Sequence, residues 1–369
     1  MTLSLRDGRT PVTAAVLTEV GRLDVDTVWI DAPEPSEVRV RPAFVGVCHS
    51  DLHYVDGVHA TDLPEILGHE AAGGVEAVGA NVTTVRPGDH VVTSLTMYCG
   101  TCRYCVTGRL QLCEGRGALR ARTRPAVLNA EGRSVGTMGG VGGFAEALLI
   151  HQNGVARIDP QLPLDAASLL GCAVLTGVGA VTRSAQVPVG ASVAVIGCGG
   201  IGVAAVQGAV LSGASMIVAI DPSAERREWA RRFGATHTLD GGPDVVDEVR
   251  GLCASGVDYS FEAVGRQSTA ESAFAMLAPG GTCTVLGMIP DDTPIRVPAS
   301  GLYFGERRLH GAFIGSSRFP VDIPQLSALH RSSRLALTEM ITDRVPLADI
   351  ERAMAMVRQG CGLRTVIAV

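Results

Sequence analysis

Between residues 184 and 220 the chain carries no charged side chain, and short Val/Ile/Ala runs alternate with Gly and Ser. A stretch of that length would suit a membrane span. Pro188 and the repeated glycines break it into pieces too short to cross. Near-continuous apolar runs of about five residues are what buried strands of a parallel sheet require. The stretch is therefore read as strand, turn, helix and strand. Ser192–Ile196 (SVAVI) is the first strand, an Ala/Val-rich helix runs to about Ser212, and Met216–Ile220 is the second strand. Further on, the pattern predicts helices at 224–233 and 269–277 and strands at 257–261 and 282–286. It predicts a last helix at 347–359 and a last strand at 364–368. The segment 114–143, rich in Arg and Gly, follows neither period and reads as an irregular loop. No internal repeat or low-complexity tract interrupts the chain.

At 369 residues the chain is long enough for about two domains. A hydrophobic content of 46% and a mean hydropathy of +0.26 indicate a globular protein with a sizeable core. The net charge of −6 argues against nucleic-acid partners. All 31 basic residues are arginine. Without lysine there is no Schiff-base enzyme, no P-loop and no conventional kinase site. Residues 1–11 are polar and lack an apolar targeting segment. A cytoplasmic protein without a membrane partner is expected.

Ten cysteines in such a compartment favour metal over disulfides. Cys99, Cys102, Cys105 and Cys113 form one cluster (CGTCRYCVTGRLQLC). Four thiolates on one loop can close a tetrahedron around Zn²⁺ and leave no position for substrate. A disulfide-bonded loop or an iron–sulfur cluster would use the same residues; a structural zinc that folds a poorly cored lobe suits the rest of the chain. A dispersed set, Cys48 in GVCHSDLH, His69 in LGHEAAG and Cys172 in LLGCAVLTG, offers two sulfurs and one nitrogen. Such a triad leaves the fourth zinc position open, although no local spacing imposes it. Asp51 and Glu70 stand beside it, and a carboxylate on the far nitrogen of His69 would fix its tautomer. Cys198, Cys253, Cys283 and Cys361 read as packing residues.

After the strand Ser192–Ile196 comes Gly197-Cys198-Gly199-Gly200-Ile201-Gly202, a GxGxxG turn opening a helix. Asp221 follows at the end of the next strand. That context makes a dinucleotide site, with the pyrophosphate at the helix N-terminus. Asp221 would bind ribose hydroxyls and repel a 2′-phosphate, which favours NAD over NADP.

Together these features resemble the zinc-dependent medium-chain alcohol dehydrogenases over essentially the whole chain. GHE at 68–70, the four-cysteine lobe, Cys172, the nucleotide loop, FEAVGR at 261–266 and GLRTVIAV at 362–369 carry the resemblance. It implies a Rossmann doubly wound parallel sheet domain at 174–313. It also implies a GroES-like, partly open β-barrel catalytic domain at 1–173 and 314–369, bearing the zinc lobe. Cys48, His69 and Cys172 would hold a catalytic Zn²⁺, with Glu70 behind it. That ion would lower the pKa of an alcohol, whose hydride then passes to the nicotinamide. Ser50 would take the alcohol's proton and pass it through the cofactor ribose towards His53. His49 and Arg364 would face the pyrophosphate and Arg226 the adenosine ribose. Val264, Gly265 and Arg266 would edge the nicotinamide ribose, and Leu286, Met288, Ala312 and Ile314 would line the nicotinamide.

Leu95, His59, Met138 and Gly139 fall where relatives line the substrate pocket. A Leu and a Gly where aromatic or branched residues could sit, and Ser50 in place of Thr, suggest medium or bulky primary alcohols and their aldehydes. Three rivals share the motifs. One is a dehydrogenase of a formaldehyde–thiol adduct, which Arg116, Arg120 and Arg122 keep open. Another holds NAD tightly and uses an external acceptor. The third is a silent binding descendant, which would have lost open-site ligands; none is missing. The segment 298–311 lies where the family associates, and a homodimer is expected, with a tetramer as the alternative.

Overall fold

The structure, a computed structural model, describes residues 7–369. The start of the expected catalytic domain, residues 1–6, and with it part of the polar N-terminal stretch, lies outside the described residues. The chain divides into two compact units, Met1–Cys172 with Arg318–Val369, and Ala173–Ser317.

The first unit opens with strands β1 (Thr10–Glu19), β2 (Arg22–Ile30) and β3 (Glu37–Gly46), then the short helix α1 (His49–Val55). Next come β4 (Glu65–Ile66), β5 (Glu70–Val78) and β6 (His90–Thr93), and helices α2 (Arg103–Val106) and α3 (Arg116–Arg120). Strands β7 (Val127–Leu128), β8 (Ser134–Thr137), β9 (Leu148–His151) and β10 (Val155–Arg157) precede α4 (Leu164–Ser168). β1, β2, β7, β8 and β4 close into a barrel. A second sheet runs β10-β6-β5-β3 and is completed by two strands from the end of the chain, with β9 also paired to β3. One core joins them: Leu17, Ile30, Ile66, Phe144 and Ile150 are almost fully buried. Burying each such side chain stabilises the unit by about 1.5–3 kcal/mol.

The second unit begins with α5 (Ala173–Gly179), and β11 (Ser192–Ile196) follows. The order continues α6 (Gly200–Leu211), β12 (Met216–Ile220), α7 (Ala224–Arg232), β13 (His237–Leu239), α8 (Val245–Leu252) and β14 (Val257–Glu262). α9 (Gln267–Ala275), β15 (Leu277–Val285), α10 (Ala299–Tyr303) and β16 (Arg308–Gly311) complete it. The sheet is parallel throughout and ordered β13-β12-β11-β14-β15-β16. Its strands thus run 3-2-1-4-5-6, the doubly wound arrangement, whose ligand crevice opens where the order reverses. That point lies at the carboxyl ends of β11 and β14. α5 and α6 pack closely because Gly177 leaves no room for more: a Cβ there would sit 2.4 Å from the Ile201 carbonyl oxygen.

The chain then returns to the first unit as α11 (Phe319–Arg331), β17 (Ile341–Pro346), α12 (Ile350–Gln359) and β18 (Arg364–Ala368). β18 pairs with β3 and β17 with β18, filling the second sheet. The unit boundaries stand one residue before and four residues after those expected. The segment 114–143 departs from its sequence reading. It is not an irregular loop: it contains α3, β7 and β8, and the two strands close the barrel. Such short strands carry no readable period, and partners remote in sequence (β2 and β4) stabilise them. Among the described residues, no single helix is long and apolar enough to cross a membrane.

Candidate metal centres and nucleotide loop

The lobe is built locally. Gly100 and Gly108 turn the chain at positive φ around α2, and Cys102 caps that helix. Cys102 N–H donates to Cys99 Sγ at 3.3 Å and Cys99 N–H to Cys113 Sγ at 3.2 Å. Gly115 must stay small, since a Cβ there would lie 2.9 Å from that of Cys99. The four sulfurs lie within 4.8 Å of one another, with Cys99–Cys105 at 3.9 Å and Cys102–Cys105 at 3.5 Å. A tetrahedron of Zn–S bonds of ~2.3 Å needs edges of ~3.8 Å, so the donors fit. Neighbouring N–H groups, that of Thr101 foremost, pull the Cys99 thiol down to about 5. All ten cysteines are free of disulfides.

The second centre is assembled from afar. Cys48 caps α1, His69 precedes β5, and Cys172 ends the first unit. Gly68, at φ +86°, sits where a Cβ would strike the Phe144 ring at 2.9 Å, and so delivers His69. Gly171 fits against the Thr93 carbonyl and the Glu70 backbone in the same way and delivers Cys172. Donor atoms of Cys48, His69, Cys172 and Glu70 all lie within 4.8 Å of one another, and all four residues are buried. Asp51 organises them: it accepts from Cys48 N–H at 2.9 Å and Gly68 N–H at 3.2 Å, and its Oδ1 lies 3.3 Å from His69 Nδ1. His69 Nε2 and Glu70 Oε1 are buried without hydrogen-bond partners. Such atoms are costly unless something else satisfies them, and a Zn²⁺ held by Cys48, His69 and Cys172 would take up the His69 nitrogen. A hydrogen bond from Cys172 holds Cys48 well below the usual thiol range. Glu70 is paired with buried Arg364; burial pushes its carboxyl up to about 7 against the pull of that guanidinium. Ser50 Oγ lies 3.5 Å from Cys48 Sγ.

In the second unit each loop glycine has its own reason. Gly197 turns at φ +91° under Val264, and a Cβ on Gly202 would lie 1.7 Å from the Gly197 carbonyl oxygen. A Cβ on Gly199 would meet nothing within 4 Å, so the backbone there is open to a ligand at the start of α6, where Gly200 and Ile201 begin the helix. Asp221 is buried after β12 and accepts from Cys198 N–H and Ser223 N–H, both at 2.9 Å. Two bonds leave a carboxylate further acceptor sites. Arg226 Nη1 lies 3.9 Å from it. Past β14, Val264 and Gly265 N–H groups both bond Glu262 Oε1, which fixes that turn, and Arg266 caps α9. Leu286 N–H bonds the Glu262 carbonyl, Met288 is exposed, and Ala312 and Ile314 are buried after β16.

The chain matches the alcohol dehydrogenase GroES-like domain over residues 34–160 and the zinc-binding dehydrogenase domain over 200–329. It is 34% identical to the NDMA-dependent alcohol dehydrogenase of Amycolatopsis methanolica, over 96% of this chain and 98% of that one. It is 35% identical to the S-(hydroxymethyl)glutathione dehydrogenase of Saccharomyces cerevisiae, over 94% and 92%. The crystal structure of benzyl alcohol dehydrogenase from Acinetobacter calcoaceticus superposes with a TM-score of 0.91 at 28% identity, over 98% and 99% of the two chains. The chain belongs to the zinc-dependent medium-chain alcohol dehydrogenases.

In this dehydrogenase the first unit brings Ser50, Asp51 and His53 onto one short helix beside Cys48. His49 stands exposed at its first turn. Of the two carboxylates that sequence offered for His69, it is Asp51 that lies against the imidazole. Arg364 lies in the same unit and points at Glu70; Gly46 makes room for the pair, since a Cβ there would lie 3.1 Å from Arg364. His59, expected only to line the pocket, also meets the ring of His53 edge-on at 5.4 Å. One packing expectation fails: Cys361 is exposed, because it follows the left-handed Gly360 that ends α12. Cys198 and Cys283 are buried, and burial raises their thiols to about 12 and about 11.

Proposed function

We propose that this dehydrogenase oxidises medium or bulky primary alcohols, and reduces their aldehydes, with NAD as the exchangeable hydride carrier. The observation that carries the reading is the buried Cys48–His69–Cys172 set, whose imidazole is held by Asp51 and whose Nε2 is unpartnered. Zn²⁺ bound there supplies Lewis acidity to a substrate oxygen. Asp51 orients His69, and Arg364 keeps Glu70 from standing as an unpaired buried charge. Ser50 can accept a proton from a substrate hydroxyl while donating its own. His53 follows at i+3, on the same face of α1. Burial and the neighbouring His59 hold its imidazole below its ordinary value, so it is neutral near pH 7 and ready to take a proton outward. Asp221 supports NAD over NADP by repelling a 2′-phosphate.

Leu95 and Gly139 lie together, and a Cβ on Gly139 would fall 2.8 Å from that of Leu95, so the glycine is what lets the two pack side by side. The likeness to a benzyl alcohol dehydrogenase supports bulky alcohols. The NDMA-dependent relative supports a second reading, in which the cofactor stays bound and an external acceptor reoxidises it. An alcohol panel run with added NAD, added NADP and neither separates them. The first reading expects turnover of aromatic and medium-chain primary alcohols that needs added NAD. Turnover only with an artificial acceptor supports the second, and activity confined to a formaldehyde–thiol adduct contradicts both.

The protein acts as a cytoplasmic homodimer in this reading. β16 is an edge strand, and Tyr303 and Phe304 beside it are 65% and 82% exposed. Open strand edges and exposed aromatics are what association covers. A monomer mass in light scattering would contradict the dimer.

A further inference from the structure

A cavity of about 590 Å³ opens in the first unit, lined by none of the metal donors. Its size is that of small-molecule sites, typically ~300–1,000 Å³. Met97, Val135 and Ile150 give it apolar walls. Glu37, Glu65, Arg120, Arg122 and Arg124 also line it, and of these Glu65 and Arg120 carry no ion pair among the described residues. Glu65, on β4, is only 7% exposed, and its Oε2 has no hydrogen-bond partner. Arg120, at the end of α3, packs against Gly139 and Gly140; a Cβ on Gly140 would lie 2.9 Å from Arg120 Nε. Arg120 donates to the Leu95 carbonyl at 2.8 Å. No carboxylate lies within ion-pair distance of it among the described residues. Its neighbours differ: Arg122 pairs with Glu37 and Asp31, and Arg124 with Asp31. The cavity therefore presents one cation lacking an anion and one buried acceptor lacking a donor. Burial also pushes the Glu65 carboxyl above its ordinary range, against a hydroxyl contact from Thr61.

We propose that this cavity binds a small hydroxy acid, its carboxylate on Arg120, its hydroxyl donating to Glu65 Oε2 and its apolar body against Met97, Val135 and Ile150. Charge-assisted pairing of a guanidinium with a carboxylate is strong and directional. A buried acceptor discriminates sharply against a ligand that lacks the matching donor. The site uses neither metal centre nor the nucleotide loop, and Gly139, assigned above to the substrate region, lines one side of it.

The test is calorimetric titration of the zinc-loaded full-length protein with 4-hydroxybenzoate, benzoate and 4-hydroxybenzamide. The hydroxy acid should bind one per chain and about tenfold more tightly than either analogue. Arg120→Gln should erase the preference for acid over amide and keep that for the hydroxyl. Glu65→Met should do the reverse. A misfolded variant would lose both preferences, so the crossed pattern cannot arise from unfolding. Equal binding of the three compounds, or binding unchanged in both variants, overturns the proposal. In steady-state rates, Arg120-dependent competition with the alcohol assigns the carboxylate to the substrate's own tail. Arg120-dependent inhibition without competition assigns it to a separate effector, and inhibition independent of Arg120 overturns the site.

Discussion

The two cysteine centres of this dehydrogenase solve one problem in opposite ways. The lobe takes its four donors from a single loop, Cys99 to Cys113, and backbone N–H groups of the same loop point at the sulfurs. The buried centre takes Cys48, His69 and Cys172 from three places, and a side chain from α1, Asp51, holds the set together. In the first a metal would organise the chain. In the second the chain is organised already, by Gly68 against Phe144 and Gly171 against β5 and β6, and presents a site. A local centre should therefore govern folding, and a remote one should govern chemistry.

The largest expected effects contrast one residue from each centre. Cys172→Ser should leave a folded protein, with unchanged far-ultraviolet circular dichroism, and lower kcat/KM by about three orders of magnitude. Cys102→Ser should instead lower the midpoint of thermal unfolding and the soluble yield, because the lobe loses its organising interaction. If Cys172→Ser unfolds and Cys102→Ser does not, the division between the centres fails.

Asp51→Asn sharpens the contrast, since the lobe has no counterpart to it. Loss of a carboxylate behind a metal-bound imidazole typically costs about 10–100-fold in metal affinity or activity. Metal titration of the variant should show that loss at the buried centre alone. Equal weakening of both centres would mean that Asp51 acts on the fold at large.

The smallest effect is expected at His53. His53→Gln should keep both metals and slow alcohol oxidation about tenfold near neutral pH. Because burial and His59 hold the native imidazole below its ordinary value, it accepts protons throughout the neutral range. Its contribution should fade only as pH falls through that lowered pKa and the ring becomes charged. At high pH the variant should recover as hydroxide replaces the imidazole. A pH–rate profile that overlays the native one would leave His53 as a packing residue.

The same contrast separates what sequence discloses from what it hides. β11, β12 and β18 stand where their apolar runs place them, because strands buried on both faces are continuous runs. The lobe was legible because its spacing is its geometry. Asp51 could not be singled out from Glu70, since the choice depends on how α1 meets the start of β5. β7 and β8 were hidden in an Arg- and Gly-rich segment, being too short to show a period. Glu65 gave no sign of its unpartnered oxygen, which depends on barrel closure rather than on neighbours in sequence.

Metal content tests the central claim most directly. Elemental analysis of active native protein should find two zinc ions per chain. Cys172→Ser should retain one zinc in a folded chain and turn over no alcohol above the residual level. Full activity in protein holding one zinc or none per chain would contradict the account.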